Sequence, residues 1–155
     1  MDNAIRAFQT FGLTSSFILS DINIGTSLVT LPILYIRNPS ISTPFLYKLH
    51  YKGDATLIIF SIISGLASIT AAYVYPCKRT LCTVAATMSQ LRWTLLVMIK
   101  TNVRLRELVD SVSLAKTVDQ MDVVALLHKW AWMNLVRGCL PLFGGLMGVY
   151  ALVSG

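Results

Sequence analysis

The sequence predicts an all-α integral membrane protein, a bundle of four helices forming a single domain over residues 1–155. The first observation is the segment 55–77, which runs 23 residues without a formal charge. A helix needs roughly 20 apolar residues to cross hydrocarbon about 30 Å thick, and lipid excludes unpaired backbone amides. The second is that three further apolar segments share this character. The third is composition: 55% of the residues are hydrophobic and 13% charged, with a mean hydropathy of +0.66, whereas soluble domains carry about 25% charged residues.

The four membrane spans are separated by short connections. They are predicted at about residues 11–36, 55–75, 80–99 and 131–153. Two proline-containing pairs, ending at Pro39 and Pro44, are expected to break the chain after the first span. Pro76 is expected to end the second helix, and a very short turn then leads to the third.

The last two helices are predicted to extend beyond the bilayer. Leu105 and Leu108 continue a helical spacing of apolar residues among charged neighbours, which indicates an amphipathic extension of the third helix. Asp119 is a plausible N-cap for a long fourth helix. Pro141 is expected to kink that helix within the membrane.

The distribution of positive charge predicts the orientation. Eight basic residues lie in or near the two longer connections and three on the other side, and the side richer in Lys and Arg faces the cytoplasm. The eight are Arg37, Lys48, Lys52, Lys100, Arg104, Arg106, Lys116 and Lys129, and the three are Arg6, Lys78 and Arg79. Both termini are therefore expected on the non-cytoplasmic side, in the endoplasmic reticulum if the source is eukaryotic, with helices 3 and 4 extending into the cytoplasm.

The net charge of +6 does not indicate nucleic-acid binding, because the basic residues lie between apolar runs and form no stripe with interleaved aromatics. Membrane lipid and a lipophilic small molecule are the expected partners. The three cysteines, Cys77, Cys82 and Cys139, have no metal-ligand or redox spacing.

Several polar residues lie within the predicted spans, where a charged side chain costs about 2.5–3.5 kcal/mol even on a lenient insertion scale. They are Asp21, Asn23, Gln90, Arg92, Asn134 and Arg137. We expect these side chains to converge on the bundle interior, with Asp21 pairing with Arg92 or Arg137.

One face of the fourth helix carries Trp130, Asn134, Arg137 and Pro141, at i, i+4, i+7 and i+11. An aromatic ring, an amide and a cation in line favour a pocket for a flat, partly anionic ligand. The alternative is a structural ion pair or an arginine that snorkels to the interface.

The same helix carries two glycines at the spacing Gly-x-x-x-Gly, Gly144 and Gly148. This spacing gives a smooth face for a homo-oligomer contact. The alternative is that these glycines reflect the general glycine content of membrane helices.

Histidine accepts a proton near neutral pH, so His128 and His50 are candidate bases, although a loop histidine is more often simply solvated. The two histidines lack the spacing of a metal site, and no phosphate loop, catalytic triad, haem motif or flavin motif is present. Chemistry at this site is therefore expected to need no metal and no other cofactor.

Two motifs resemble those of small four-helix membrane proteins that include the fungal anthrone oxygenases of secondary metabolism. Residues 94–105 read Thr-Leu-Leu-Val-Met-Ile-Lys-Thr-Asn-Val-Arg-Leu, with the family's Thr-Asn-x-x-Leu beginning at Thr101. Residues 127–141 read Leu-His-Lys-Trp-Ala-Trp-Met-Asn-Leu-Val-Arg-Gly-Cys-Leu-Pro, with Trp-x-x-x-Asn-x-x-Arg beginning at Trp130. The first half of the chain matches more loosely, through residues 25–32 and Gly53.

This resemblance implies oxidation of an anthrone-like aromatic to a quinone by dioxygen, as a tailoring step in polyketide metabolism, without metal or flavin. Arg137 and Asn134 would stabilise an oxyanion, Trp130 would stack on the substrate, and Asn102 would orient a substrate carbonyl. His128 and Asp21 would be the candidates for the base.

The chain departs from the family pattern at Arg92 and Lys100, where proline is common. Replacing proline is expected to remove a kink and to add a cation beside the pocket, which makes both residues candidate substrate contacts and puts the family's usual substrate in doubt.

Two other readings remain open: a cyclisation or pericyclic step on a lipophilic polyketide or terpenoid, and a non-catalytic membrane scaffold. Oxidation by dioxygen stops without oxygen and a cyclisation does not, whereas a scaffold catalyses neither.

Overall fold

A computed structural model describes residues 2–36, 39–74, 78–110 and 120–154. Every element in these ranges is helical, which confirms the all-α prediction. Helix α1 comprises Asp2–Gly25, Thr26–Thr30 and Leu31–Tyr35, α2 is Pro39–Val74, α3 comprises Lys78–Trp93, Thr94–Met98 and Ile99–Asp110, and α4 is Gln120–Val153. Asp119, the predicted cap of α4, lies outside the described residues, as do Pro76 and Cys77.

Four helices are long and apolar enough to cross a membrane, as predicted. The spans are Arg6–Tyr35, Leu57–Val74, Leu81–Leu108 and Met121–Val153. Large apolar side chains such as Leu28, Leu96 and Phe143 lie on the outside of the bundle, where lipid would cover them. The chain is thus a multi-pass membrane protein, and the direction of its termini stays a prediction.

Each helix packs against the helix that follows it in the chain, and the last helix, α4, also packs against α1. Helix α4 packs against α1 and α3, and α2 also packs against α1 and α3. Helices α1 and α3 therefore lie on opposite sides of the bundle. Hydroxyl side chains line much of the interior, and several of them donate to a carbonyl of their own helix, as Thr87 does to Thr83.

Helix α2 begins at Pro39, well before the predicted start at residue 55. Pro39 and Pro44 were both expected to break the chain after the first span. Helix α1 does end before Pro39, but Pro44 lies inside α2, so the expectation is wrong for Pro44. Proline is favourable at the first helical position because the N–H it lacks would have no intrahelical partner there. The backbone stays helical through Pro44.

Helix α3 continues past residue 99 to Asp110, as its amphipathic pattern predicted. Leu105 and Leu108 are buried against α4 and the end of α1. The apolar core at this end of the bundle consists of Leu31, Leu34, Met98, Leu105, Leu108, Val123, Leu127, Trp130 and Ala131.

Two turns are widened into π-helix. The first, Thr26–Thr30, is followed by Pro32, whose ring crowds the carbonyl one turn earlier and whose missing N–H breaks the regular pattern. The second, Thr94–Met98, ends two residues before Lys100, just as the first ends two residues before Pro32. Helix α3 thus contains a π-helical turn just before Lys100, although proline is absent there, and the expected loss of a kink stays a prediction.

Candidate functional site

A buried polar cluster joins α1 to α4 near the middle of the membrane spans. The amide nitrogen of Asn134 donates to the backbone oxygen of Asn23 at 2.8 Å and to Ser27 Oγ at 3.0 Å. The Arg137 guanidinium donates through Nη2 and Nε to Asn23 Oδ1 at 2.6 and 3.2 Å. Asn134 is 1% exposed and Arg137 8%, so the fourth-helix motif points into the bundle.

Helical spacing and one glycine create this cluster. Asn23 and Ser27 are four residues apart and Asn134 and Arg137 three apart, so each pair shares a helix face. Gly138 lets the helices approach closely, since a Cβ there would lie 3.0 Å from the Asn23 Cβ. Asn23 also donates to the Leu19 backbone oxygen at 2.7 Å, which fixes its side-chain amide.

The carbonyl oxygen of the Asn134 side chain is buried and accepts no hydrogen bond. The amide orientation is set by Asn23, because rotating it would bring two carbonyl oxygens together. Leaving a buried acceptor unsatisfied costs about 1–3 kcal/mol. Among the described side chains, Gln9 Oε1 is the one other buried oxygen in this state. Asn134 Oδ1 is therefore a buried acceptor that receives no hydrogen bond from the described residues.

The motif on α3 meets the motif on α4 through Trp130. Its indole N–H donates to Asn102 Oδ1 at 2.8 Å, and the ring is 1% exposed. A second indole, that of Trp93, donates to the Met133 backbone oxygen at 3.0 Å. Trp130 is thus part of the apolar core, one helical turn before Asn134.

Tyr35 and His128 form a stacked pair at the end of the bundle where α1 ends and α4 begins. Their ring centroids are 3.9 Å apart and the rings are inclined by 25°. His128 is exposed, whereas Tyr35 packs against the apolar core. The pair places an imidazole beside the core that contains Trp130.

Three predicted site residues lie elsewhere. Asp21, Arg92 and Lys100 are exposed on the outside of the bundle, so the expectation that Asp21 and Arg92 turn inward is wrong. Among the described residues, Asp21 takes part in no ion pair with Arg92 or Arg137. Asp21 precedes Asn23 by two positions, which is about 200° around a helix at 3.6 residues per turn, so the two residues face opposite ways.

The other polar residue expected in α3 does turn inward. Gln90 is buried and donates to Ser61 Oγ of α2 at 3.2 Å. The bond joins two helices of the bundle and lies away from the α1–α4 cluster.

The Gly144–Gly148 pair of α4 packs against other helices of the same chain. A Cβ at Gly144 would lie 3.1 Å from Thr87 Oγ1, and one at Gly148 would meet the side chain of Leu13. A partner helix could reach this face only by displacing α3 and α1.

Sequence reasoning missed Ser27, Tyr35 and Trp93, and it noticed Asn23 only as the neighbour of Asp21. The helical spacing could have indicated Ser27, because it lies on one face of α1 with three other small polar residues, Ser16, Ser20 and Asn23. All four side chains are buried. The contacts of Tyr35 and Trp93 are long-range and had no local signal.

Among the described residues, no three His, Cys, Asp or Glu side chains lie close enough together to hold a metal ion. His50, the second candidate base, lies outside the described side chains.

Comparison with known protein families gives a match. A family model described as anthrone oxygenase matches residues 47–147, more than half of the chain. This range contains both motifs but not the α1 residues of the cluster. Comparison with curated proteins gives no match, and comparison with solved structures gives none. With Asn102, Trp130, Asn134 and Arg137 all inside the matched range, the chain belongs to the anthrone oxygenase family.

Proposed function

We propose that this protein is a membrane-embedded enzyme that oxidises a hydroxylated, anthrone-like aromatic to a quinone with dioxygen, without a cofactor. The observation that carries the proposal is the unsatisfied Asn134 Oδ1, which lies in the same buried cluster as the Arg137 guanidinium. An acceptor and a cation enclosed by apolar helices suit a flat phenolic guest that ionises. Membership of the family supports the same reaction class.

The reaction balances without an added redox group. A base removes a proton from the central methylene, and the resulting anion passes one electron to dioxygen. The two radicals combine through a new C–O bond to a hydroperoxide. Loss of the remaining C–H proton, with cleavage of the O–O bond, gives the quinone carbonyl and water, so one anthrone and one dioxygen yield one quinone and one water.

Arg137 and Asn134 have different roles in this proposal. The guanidinium favours the anionic form of the substrate, because a fixed positive charge in a medium of low dielectric constant strongly stabilises a nearby anion. Both N–H groups of Asn134 are already used by Asn23 and Ser27. Asn134 therefore accepts a hydrogen bond from a substrate hydroxyl through Oδ1 and does not serve as an oxyanion donor.

In this proposal Trp130 and Asn102 contact the apolar end of the substrate. Trp130 lies one turn before Asn134 on the same face of α4, so a planar ring beside Asn134 would meet the indole. Because the Asn102 Oδ1 atom accepts from Trp130, the amide nitrogen is turned away from the indole and can donate to a substrate carbonyl.

His128 is the base in this proposal. His128 and Asp21 are both exposed, and we choose His128 because its ring stacks on Tyr35, which packs against the core that contains Trp130. Arg92 and Lys100 are also on the outer face and take no part in the proposed reaction.

The test uses purified protein in lipid nanodiscs with a hydroxylated anthrone, in air and under argon, with protein-free nanodiscs measuring spontaneous oxidation. We expect quinone formation in air well above that background, one dioxygen consumed per quinone, and none under argon. Asn134→Leu and His128→Gln should reduce the rate. Thr70→Val is the matched control, since this hydroxyl bonds only its own helix, at the Leu66 oxygen.

A second incubation uses a linear polyketide intermediate in place of the anthrone, and its conversion under argon would instead indicate a cyclisation. Wild-type protein that oxidises anthrone no faster than empty nanodiscs and does not convert the polyketide intermediate would indicate a scaffold. Either result contradicts the proposal.

A further inference from the structure

Two opposite charges lie on the outside of the bundle within the membrane spans. Asp21 is in the span Arg6–Tyr35 and Arg92 in Leu81–Leu108, and both side chains are exposed. Their surroundings are apolar: Ile18, Ile22 and Leu28 are exposed near Asp21, and Leu95 and Leu96 near Arg92. Ionised side chains within membrane spans normally face protein or a partner charge.

The contacts with α4 place Asp21 and Arg92 at the same depth. Gly138 lies beside Asn23, so Asp21, two residues earlier on an antiparallel helix, is level with residue 140. Gly144 lies beside Thr87, so Arg92, five residues later, is level with residue 139. One residue of difference is about 1.5 Å along a helix.

The two charges cannot meet within one chain. Helix α1 contacts α2 and α4, α3 contacts the same two helices, and α1 and α3 lie on opposite sides of the bundle. A second copy in the same membrane orientation, however, brings its Arg92 to the depth of Asp21 of the first copy by a lateral shift alone.

We propose that copies of this chain associate side by side in the membrane through an ion pair between Asp21 of one copy and Arg92 of the next. The contact joins two different surfaces, so it is heterologous and closes into a ring or continues as a row. The helices α1 and α3 form the contact, and the Gly144–Gly148 face takes no part in it. This inference does not depend on the proposed reaction.

The test measures energy transfer between donor- and acceptor-labelled copies in vesicles of zwitterionic lipid, as a function of protein density. Asp21→Asn and Arg92→Gln should each raise the density for half-maximal association about 3- to 30-fold, because each removes one side of a polar contact within the membrane. Lys100→Gln, which removes another exposed cation of α3, should leave the density unchanged.

A mixture of the two variants decides between an ion pair and misfolding. Asp21→Asn copies keep Arg92 and Arg92→Gln copies keep Asp21, so the mixture should form heterodimers and recover transfer that neither variant shows alone. Misfolded chains would not recover. A mixture that stays as weak as each variant, or single variants that associate like the wild type, would overturn the proposal.

Discussion

Replacing Asn134 with leucine separates the contribution of this residue to folding from its contribution to binding. The substitution removes two donated hydrogen bonds, to the Asn23 backbone oxygen and to Ser27 Oγ. Such bonds are worth about 0.6 kcal/mol each on average in membrane proteins. The two acceptors still share a hydrogen bond in the variant, since the Ser27 hydroxyl donates to the Asn23 backbone oxygen at 2.9 Å.

The same substitution also removes the unsatisfied Asn134 Oδ1, and this relieves a burial cost of about 1–3 kcal/mol. The losses and the gain nearly cancel, so the free energy of unfolding should stay within about 1 kcal/mol of the wild type. The rate of quinone formation should fall, since a hydrogen bond between a neutral substrate hydroxyl and the Asn134 amide is worth about 0.5–1.5 kcal/mol, or about 2- to 13-fold in rate.

The assay pairs reversible unfolding in mixed micelles with steady-state quinone formation on the same preparation. A loss of more than about 2 kcal/mol in the free energy of unfolding of Asn134→Leu would show that the amide is mainly structural. Oxidation of substrate by this variant at the wild-type rate would contradict its role in binding.

Three further predictions concern the packing of the bundle. Arg137→Met should lower the free energy of unfolding by about 1–3 kcal/mol, since Asn23 Oδ1 loses the two N–H groups of Arg137 that it accepts from; unchanged micellar unfolding would contradict the geometry. Gly12→Val should lower the free energy of unfolding by about 1–3 kcal/mol, since a Cβ at this position collides with the Cβ of Ala67 in α2. Gly25→Ala, where a Cβ meets nothing within 4 Å, is its control and should unfold like the wild type. Trp130→Phe keeps an aromatic ring but removes the indole N–H donor and part of the buried ring volume, so the free energy of unfolding should fall by at least about 0.5–1.5 kcal/mol in the same assay. An unchanged free energy of unfolding would contradict the buried, hydrogen-bonded position of this side chain.

Features that depend on repetition along one helix could be predicted from the sequence. The four spans follow from the lengths of the apolar runs, and the inward face of α4 follows from the spacing of Trp130, Asn134 and Arg137. The continuation of α3 to Asp110 followed from the apolar spacing of Leu105 and Leu108.

Features that depend on which helix faces which could not be predicted. The cost of burying a charge predicted that Asp21 turns inward, but rotation along α1 places Asn23 on the inner face and Asp21 outside. Likewise, Tyr35 meets His128 only because the end of α1 lies beside the start of α4. The start of α2 at Pro39 was missed because proline both begins and breaks helices.

Oxygen-18 labelling tests most directly whether this protein oxidises an anthrone with dioxygen. Purified protein in nanodiscs is given a hydroxylated anthrone and dioxygen labelled with oxygen-18, and the product is analysed by mass spectrometry, with Asn134→Leu for comparison. Our account predicts one labelled atom in the new quinone carbonyl, formed faster than in empty nanodiscs and more slowly by Asn134→Leu. An unlabelled carbonyl, or a rate equal to that of empty nanodiscs, would contradict it.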